Sequence, residues 1–174
     1  MTREQLAARI FHVSYLTGRF QLRSGQISHE YFDKYRFESD PRLLAAIAAQ
    51  MVKLLPSNVQ VLAGLEMGGI PIAAALSLET GLPMVLVRKK AKEYGTQKLA
   101  EGLDIQGKAV CIIEDVVTTG GQILLSAADL RAVGGKTHDV LCVIQRSPEG
   151  APKLAAEGLQ LHPLFTMDEL KTHA

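Results

Sequence analysis

From residue 59 onward, short apolar runs alternate with stretches whose apolar residues recur every three or four positions. Runs of about 4–8 branched residues bounded by turn signals suit strands, and the three-to-four spacing suits helices between them. The pattern predicts strands over Val59 to Gly64, Leu82 to Val87, from Ala109 into the acids at 114 and 115, His138 to Ile144 and Leu159 to Phe165. It predicts helices from about Pro71 to Thr80 and from Gly121 to Val133, the second stopped at Gly134-Gly135. Before residue 59, Thr2 to Val13 reads as an opening helix with Thr2 and Gln5 in capping-box spacing. Asp40-Pro41 starts a helix that continues to Pro56. Phe20 to Asp33 alternates around Ser24-Gly25 and suggests a hairpin. Arg88 to about Gly107 reads as a polar stretch, and the residues after Phe165 as a short polar terminus. Strand–helix alternation of this kind gives an α/β core, a parallel sheet with right-handed crossovers.

Composition narrows the class without choosing a function. A chain of 174 residues can bury a full core as a single domain. Apolar residues make up 47 % and charged residues 21 %, an ordinary globular balance. The net charge of +1 gives no field that would favour nucleic acid or an acidic membrane surface. The longest apolar runs are too short to span a bilayer, and the N-terminal residues lack an apolar export signal. Cys111 and Cys142 each lie inside an apolar run, so free buried thiols and a cytoplasmic setting are expected. None of the five histidines has metal spacing or a nucleophile partner.

In open α/β sheets, ligands sit beyond the carboxyl ends of the strands. Gly64–Gly69, Arg88–Lys92, Glu114–Gln122 and Arg146 all fall at such ends. The most informative is Ala109-Val-Cys-Ile-Ile-Glu114-Asp115-Val-Val-Thr118-Thr119-Gly120-Gly121-Gln122. The Thr/Gly turn and the helix after it offer backbone N–H groups to an anion. Glu114 and Asp115 would repel phosphate, and suit sugar hydroxyls or a metal that accompanies phosphate. Together these parts describe a reader of a phosphorylated ribose; the alternative is a plain strand–turn–helix with two solvated acids. Gly64 to Gly69 serves equally as a tight turn or as a loop whose amides meet a second phosphate. Arg88, Lys89, Lys90 and Lys92 make either a solvated face or a mobile loop that brings cations to a departing anion. Tyr31 and Phe32 are core aromatics or base-stacking groups, and Arg146 is a surface cation or a partner for a carboxylate.

The segment Glu114-Asp-Val-Val-Thr-Thr-Gly-Gly121 closely resembles the phosphoribosyl pyrophosphate (PRPP) signature of the type I phosphoribosyltransferases, in its orotate phosphoribosyltransferase version. The resemblance extends from about residue 14 to 150. It implies a type I phosphoribosyltransferase fold: a central, mostly parallel sheet flanked by helices, a small N-terminal hood over about residues 1–40, a core over about 41–174, and a flexible catalytic loop. It implies transfer of ribose 5-phosphate from PRPP to orotate, giving orotidine 5′-monophosphate and pyrophosphate in pyrimidine biosynthesis. The roles it carries over are catalysis by Lys92, Glu114 and Asp115, and PRPP binding by Arg23, Arg88, Lys89, Lys92, Glu114, Asp115, Val116, Val117, Thr118, Thr119, Gly120, Gly121 and Gln122. Orotate would meet Tyr31, Phe32, Thr118 and Arg146. Mg²⁺ would enter mainly through PRPP, with Asp115 reaching it through water. A homodimer would share Arg88 and Lys89 across subunits. The sequence differs from many members in carrying Gly68 and Arg23 where they have lysine, and Tyr94 where bacterial members have histidine. A purine-base phosphoribosyltransferase and a non-catalytic PRPP-sensing regulator are the alternatives.

Overall fold

The apolar run that ends in Glu114 and Asp115 becomes a central strand of the fold. In the computed structural model, which describes residues 1–22, 24–89 and 99–173, it lies third from one edge of a six-stranded sheet. The strands in chain order are β3 (Val61–Leu65), β4 (Met84–Val87), β5 (Ala100–Glu101), β6 (Ala109–Val117), β7 (Lys136–Gln145) and β8 (Gln160–Thr166). Their spatial order is β5-β4-β3-β6-β7-β8, parallel throughout except for the antiparallel β4–β5 edge pair. β3 and β6 are buried along nearly their whole length because helices cover both faces.

On one face, α3 (Pro41–Met51) and α4 (Gly69–Thr80) insert Leu43, Ile47, Ile72 and Leu76 against Leu62, Cys111 and Ile113. On the other, α5 (Gly121–Ala132) and α6 (Gly150–Ala156) pack Ile123, Ala127, Leu130 and Leu154 against Ile112, Val140 and Cys142. Cys111 and Cys142 are buried free thiols, as expected. Burial pushes both thiols well above their usual range.

The N-terminal part forms α1 (Arg3–Ser14), then a separate antiparallel hairpin of β1 (Tyr15–Gln21) and β2 (Ile27–Phe32), then the short α2 (Tyr35–Glu38). The capping box of Thr2 with Gln5 is present. Asp40 caps α3 by accepting hydrogen bonds from the backbone N–H groups of Arg42 and Leu43. Leu6, Ile10, Phe32 and Phe37 join the same cluster as Ile47 and Ile113, so this part is packed onto the sheet's α3/α4 side.

Several boundaries differ from the sequence expectations. β1 starts at Tyr15, pairing with Phe32, well before Phe20. The helix expected to run to Pro56 changes at Val52 to a 3₁₀ turn, Val52–Leu54, and Leu55 is extended. The residue before a proline avoids the α region, and 3₁₀ geometry is a common way to end the preceding helix. α4 begins at Gly69, two residues earlier than expected, because Pro71 is tolerated in a first turn whose N–H groups have no helical partner. α6 was not anticipated. The tail is α7 (Met167–Thr172), closed by a second capping box from Thr166 and Glu169. That Thr-x-x-Glu spacing was visible in the chain.

Candidate active site

The carboxyl end of β6 sits beside those of β3 and β7, so three loops meet there. Alternation along β6 separates its two acids. Glu114 is half-buried, and its Oε1 accepts from the Asp115 backbone N–H at 3.0 Å. Asp115 is 0 % exposed. Its Oδ1 accepts from the Val116 N–H at 2.5 Å, and Lys34 Nζ lies 2.5 Å from its Oδ2. Glu38, at the far end of α2, whose N-cap is Lys34, faces this carboxylate too. Burial acts against the charge of Asp115, yet the hydrogen bonds of Glu114 and Glu38 and the Lys34 ammonium outweigh it, holding the group below its usual range. The neighbouring acids move the opposite way. Burial, then the Asp115 charge, raises Glu114, and burial raises Glu38. One ionised carboxylate flanked by two proton-holding acids is what a buried trio with one cation should adopt.

After β6 the chain forms the turn over Thr118 to Gly120. Thr118 and Thr119 are exposed, and Gly120 has φ +77°, a left-handed conformation that glycine adopts without strain. α5 starts immediately, so its first-turn N–H groups, which no helical carbonyl can accept, face the opening. Glu114, Val116, Val117, Thr118, Thr119 and Gly120–Ile123 line a hollow of ≈ 190 Å³. The turn is pinned from behind, since a Cβ on Gly150 would lie 2.7 Å from the Thr118 carbonyl oxygen. Seven of the sequence-selected residues, Val116 to Gln122, therefore sit with Glu114 around one cradle of anion size.

Arg146 follows β7, and its N–H donates to the Val117 carbonyl at 2.7 Å. Its side chain, with Tyr31 and Phe32, lines a second hollow of ≈ 270 Å³ beside the cradle. Tyr31 is 43 % exposed and stacks on Phe20 with ring centroids 5.5 Å apart, whereas Phe32 is buried in the core. Lys171 of α7 and Glu30 of β2 join this hollow. Lys171 is not among the residues the sequence singles out, because it falls in the short polar terminus expected after Phe165.

The loop between β3 and α4 closes the third side. Gly68 is where Asp115 enters: a Cβ there would stand 1.6 Å from Asp115 Oδ2 and 3.0 Å from Glu38 Oε1. Gly69 packs on the β6 backbone, its imagined Cβ 2.2 Å from the Ile113 carbonyl oxygen. Glu66 Oε1 accepts from the Lys89 N–H at 2.6 Å, fastening this loop to the end of β4. Arg88 lies 3.4 Å from Glu101 Oε1. Arg23, Lys92 and Tyr94 lie outside the described residues. Among the described residues, no three His, Cys, Asp or Glu side chains converge as a metal cage, and no helix is long and apolar enough to cross a membrane.

Comparison with known proteins gives the arrangement a lineage. The phosphoribosyl transferase domain family matches residues 37–159, which run from the end of α2 through α6, stop just short of β8, and hold the cradle. An orotate phosphoribosyltransferase from a Nocardioides species is 54 % identical over 165 residues, covering 95 % of this chain and 92 % of that protein. Among solved structures, Mycobacterium tuberculosis orotate phosphoribosyltransferase bound to Fe(III) dicitrate superposes with a TM-score of 0.87 at 33 % identity, covering 97 % of this chain and 98 % of that one. The same enzyme in complex with PRPP gives a TM-score of 0.83 at 30 % identity, again over 97 % and 98 %. Identity of this order, sustained from end to end together with the sheet order, means that the chain belongs to the orotate phosphoribosyltransferase family.

Proposed function

We propose that this protein transfers the ribose 5-phosphate group of PRPP to orotate, giving orotidine 5′-monophosphate and pyrophosphate, in the making of pyrimidine nucleotides. The observation that carries the reading is the acid pair beside an amide-lined turn, with the Arg146 hollow adjoining it. The M. tuberculosis relative solved with PRPP supports it. Turn amides from Thr118 to Gln122 would hold the 5′-phosphate, and Glu114 and Asp115 the ribose hydroxyls. Val116 and Val117 shape the cradle floor. Orotate would lie by Tyr31, Phe32 and Thr118, with Arg146 meeting its carboxylate, since a guanidinium binds oxyanions in a bidentate fork.

Among the described residues, no side chain of this site has the character of a covalent nucleophile, and direct displacement through an oxocarbenium-like ribose is the reading. Its barrier falls through positioning and charge stabilisation. Lys92 would bind or protonate the leaving pyrophosphate, aided by Arg88, Lys89 and Arg23. The donor set suits a divalent cation brought in by the substrate rather than held in a protein cage. Mg²⁺ arriving with PRPP would draw charge from the leaving group, with Asp115 reaching it through water. We assign the chain to one domain with its hood over residues 1–40, to a homodimer sharing Arg88 and Lys89, and to the cytoplasm, where buried free thiols persist.

The test is spectrophotometric. Orotate absorbance should fall on adding PRPP with Mg²⁺, and pyrophosphate should accumulate in equal amount. Consumption of adenine, hypoxanthine or xanthine instead would favour the purine-base reading, which draws no support from the relatives named above. PRPP binding without consumption of any base would favour a regulator.

A further inference from the structure

The buried face of Asp115 has a builder that the cradle does not explain. α2 is only four residues long, yet Phe37, 0 % exposed, anchors it in the core. With that anchor fixed, Lys34 and Glu38, one helical turn apart, face the same way. Both reach Asp115: Lys34 by the 2.5 Å contact to Oδ2, and Glu38 from beside Gly68. Gly68 leaves the space that this meeting needs. The Lys34 ammonium also lies 5.2 Å from the Tyr35 ring centroid, which favours a cation there. Its side chain is 33 % exposed while that of Asp115 is 1 % exposed, so the lysine forms the solvent-side wall of the cluster. Lys34 follows Phe32 by two residues and thus continues directly from the wall of the Arg146 hollow.

We propose that Lys34 is a positioning residue for PRPP: it fixes the Asp115 carboxylate toward the ribose hydroxyls and offsets the negative charge of the three-acid cluster that a polyphosphate must approach. This rests on the functional reading given above. Among the described ion pairs, Lys34 supplies the cation of this cluster. Without it the ionised Asp115 carboxylate would repel the phosphates uncompensated and be free to take a proton or another rotamer. Orotate, bound against Arg146 and Tyr31, would feel little of this change. The effect is therefore selective between the two substrates.

Calorimetric titration with PRPP and Mg²⁺, together with steady-state kinetics, tests the assignment. Wild-type protein must bind PRPP and consume orotate; failure there removes the functional reading itself, whatever Lys34 does. Given that activity, Lys34→Met should bind PRPP at least about tenfold more weakly, equivalent to about 1.4 kcal/mol. Its KM for orotate should change less than twofold, and Lys34→Arg should recover most of the PRPP affinity. A merely structural lysine would lower the melting temperature and the active fraction while leaving KM for PRPP as it was. PRPP affinity within twofold of wild type in folded Lys34→Met, or equal losses for both substrates, overturns the proposal. If Lys34→Met does not fold, Lys34→Gln, which keeps a donor but no charge, is held to the same criteria.

Discussion

Glu38 shows how far a single residue can set the chemistry around it. It is 8 % exposed, and burial, followed by its hydrogen bond with Asp115 and that group's charge, pushes its carboxyl from 4.5 to about 9. The folded chain therefore holds a proton that the unfolded chain releases between those values. Stability falls as pH rises through that window, because the folded state binds more protons there. Replacing Glu38 by glutamine removes the titration and keeps a donor. The variant's melting temperature should decline less than the wild type's between about pH 5 and 8.5. At pH 8 it should exceed wild type by about 2–4 °C for each kcal/mol relieved. Parallel melting curves across that range would mean Glu38 loses its proton as freely in the folded chain as in the unfolded one. Gly68 belongs to the same cluster. Read along the chain it is a lysine missing from a loop, whereas in space it is the room that Asp115 and Glu38 occupy.

At the scale of elements, the site depends on where helices begin and strands end. α3 starts at Asp40 because its carboxylate takes two first-turn N–H groups and Pro41 supplies a ready φ. Replacing Asp40 by alanine should cost about 1 kcal/mol in urea unfolding. KM for both substrates should stay unchanged, since α3 only backs the sheet; a large rise in either KM would place α3 nearer the chemistry than its packing suggests. α5 begins differently, on Gly120 at positive φ, which leaves its first amides to the hollow instead of to a capping side chain. One element was misread for want of context. α7 reads in the sequence as polar terminus, although Thr166 and Glu169 carry a capping signal, because six residues do not establish a helical period. Its Lys171 consequently went unnoticed beside Arg146.

For the molecule as a whole, the β6 end is a junction of three loops whose cations come largely from elsewhere. Arg88 and Lys89 follow β4, and Glu66 of the β3–α4 loop accepts from the Lys89 N–H. Under the homodimer reading, one subunit's Lys89 acts at its partner's Asp115. Mixing an inactive Lys89→Ala chain with an inactive Asp115→Asn chain should then restore activity. Random pairing makes half of the dimers heterodimers, each with one intact site of two, so up to a quarter of wild-type activity is the expected ceiling. Verified heterodimers with no regained activity would show that each site is complete within one chain.

The sequence by itself determined the sheet and the cradle. The strands are legible as separate local apolar runs, and the cradle is local too: an apolar run, two acids, a Thr/Gly turn and the start of a helix lie within fourteen consecutive positions from Ala109 to Gln122, and their order dictates their geometry. The hairpin, the α3 cap and the placement of Arg146 at a strand end were legible for the same reason. The tertiary structure alone decided which acid of the pair is buried, that Lys34 and Glu38 meet it, and why glycine stands at 68. Residues 34, 68 and 115 are far apart in the chain and share no period or motif. Only the packing of α2 and the β3–α4 loop against the end of β6 brings the Lys34 and Asp115 charges together beside Gly68, and charges interact by distance in space.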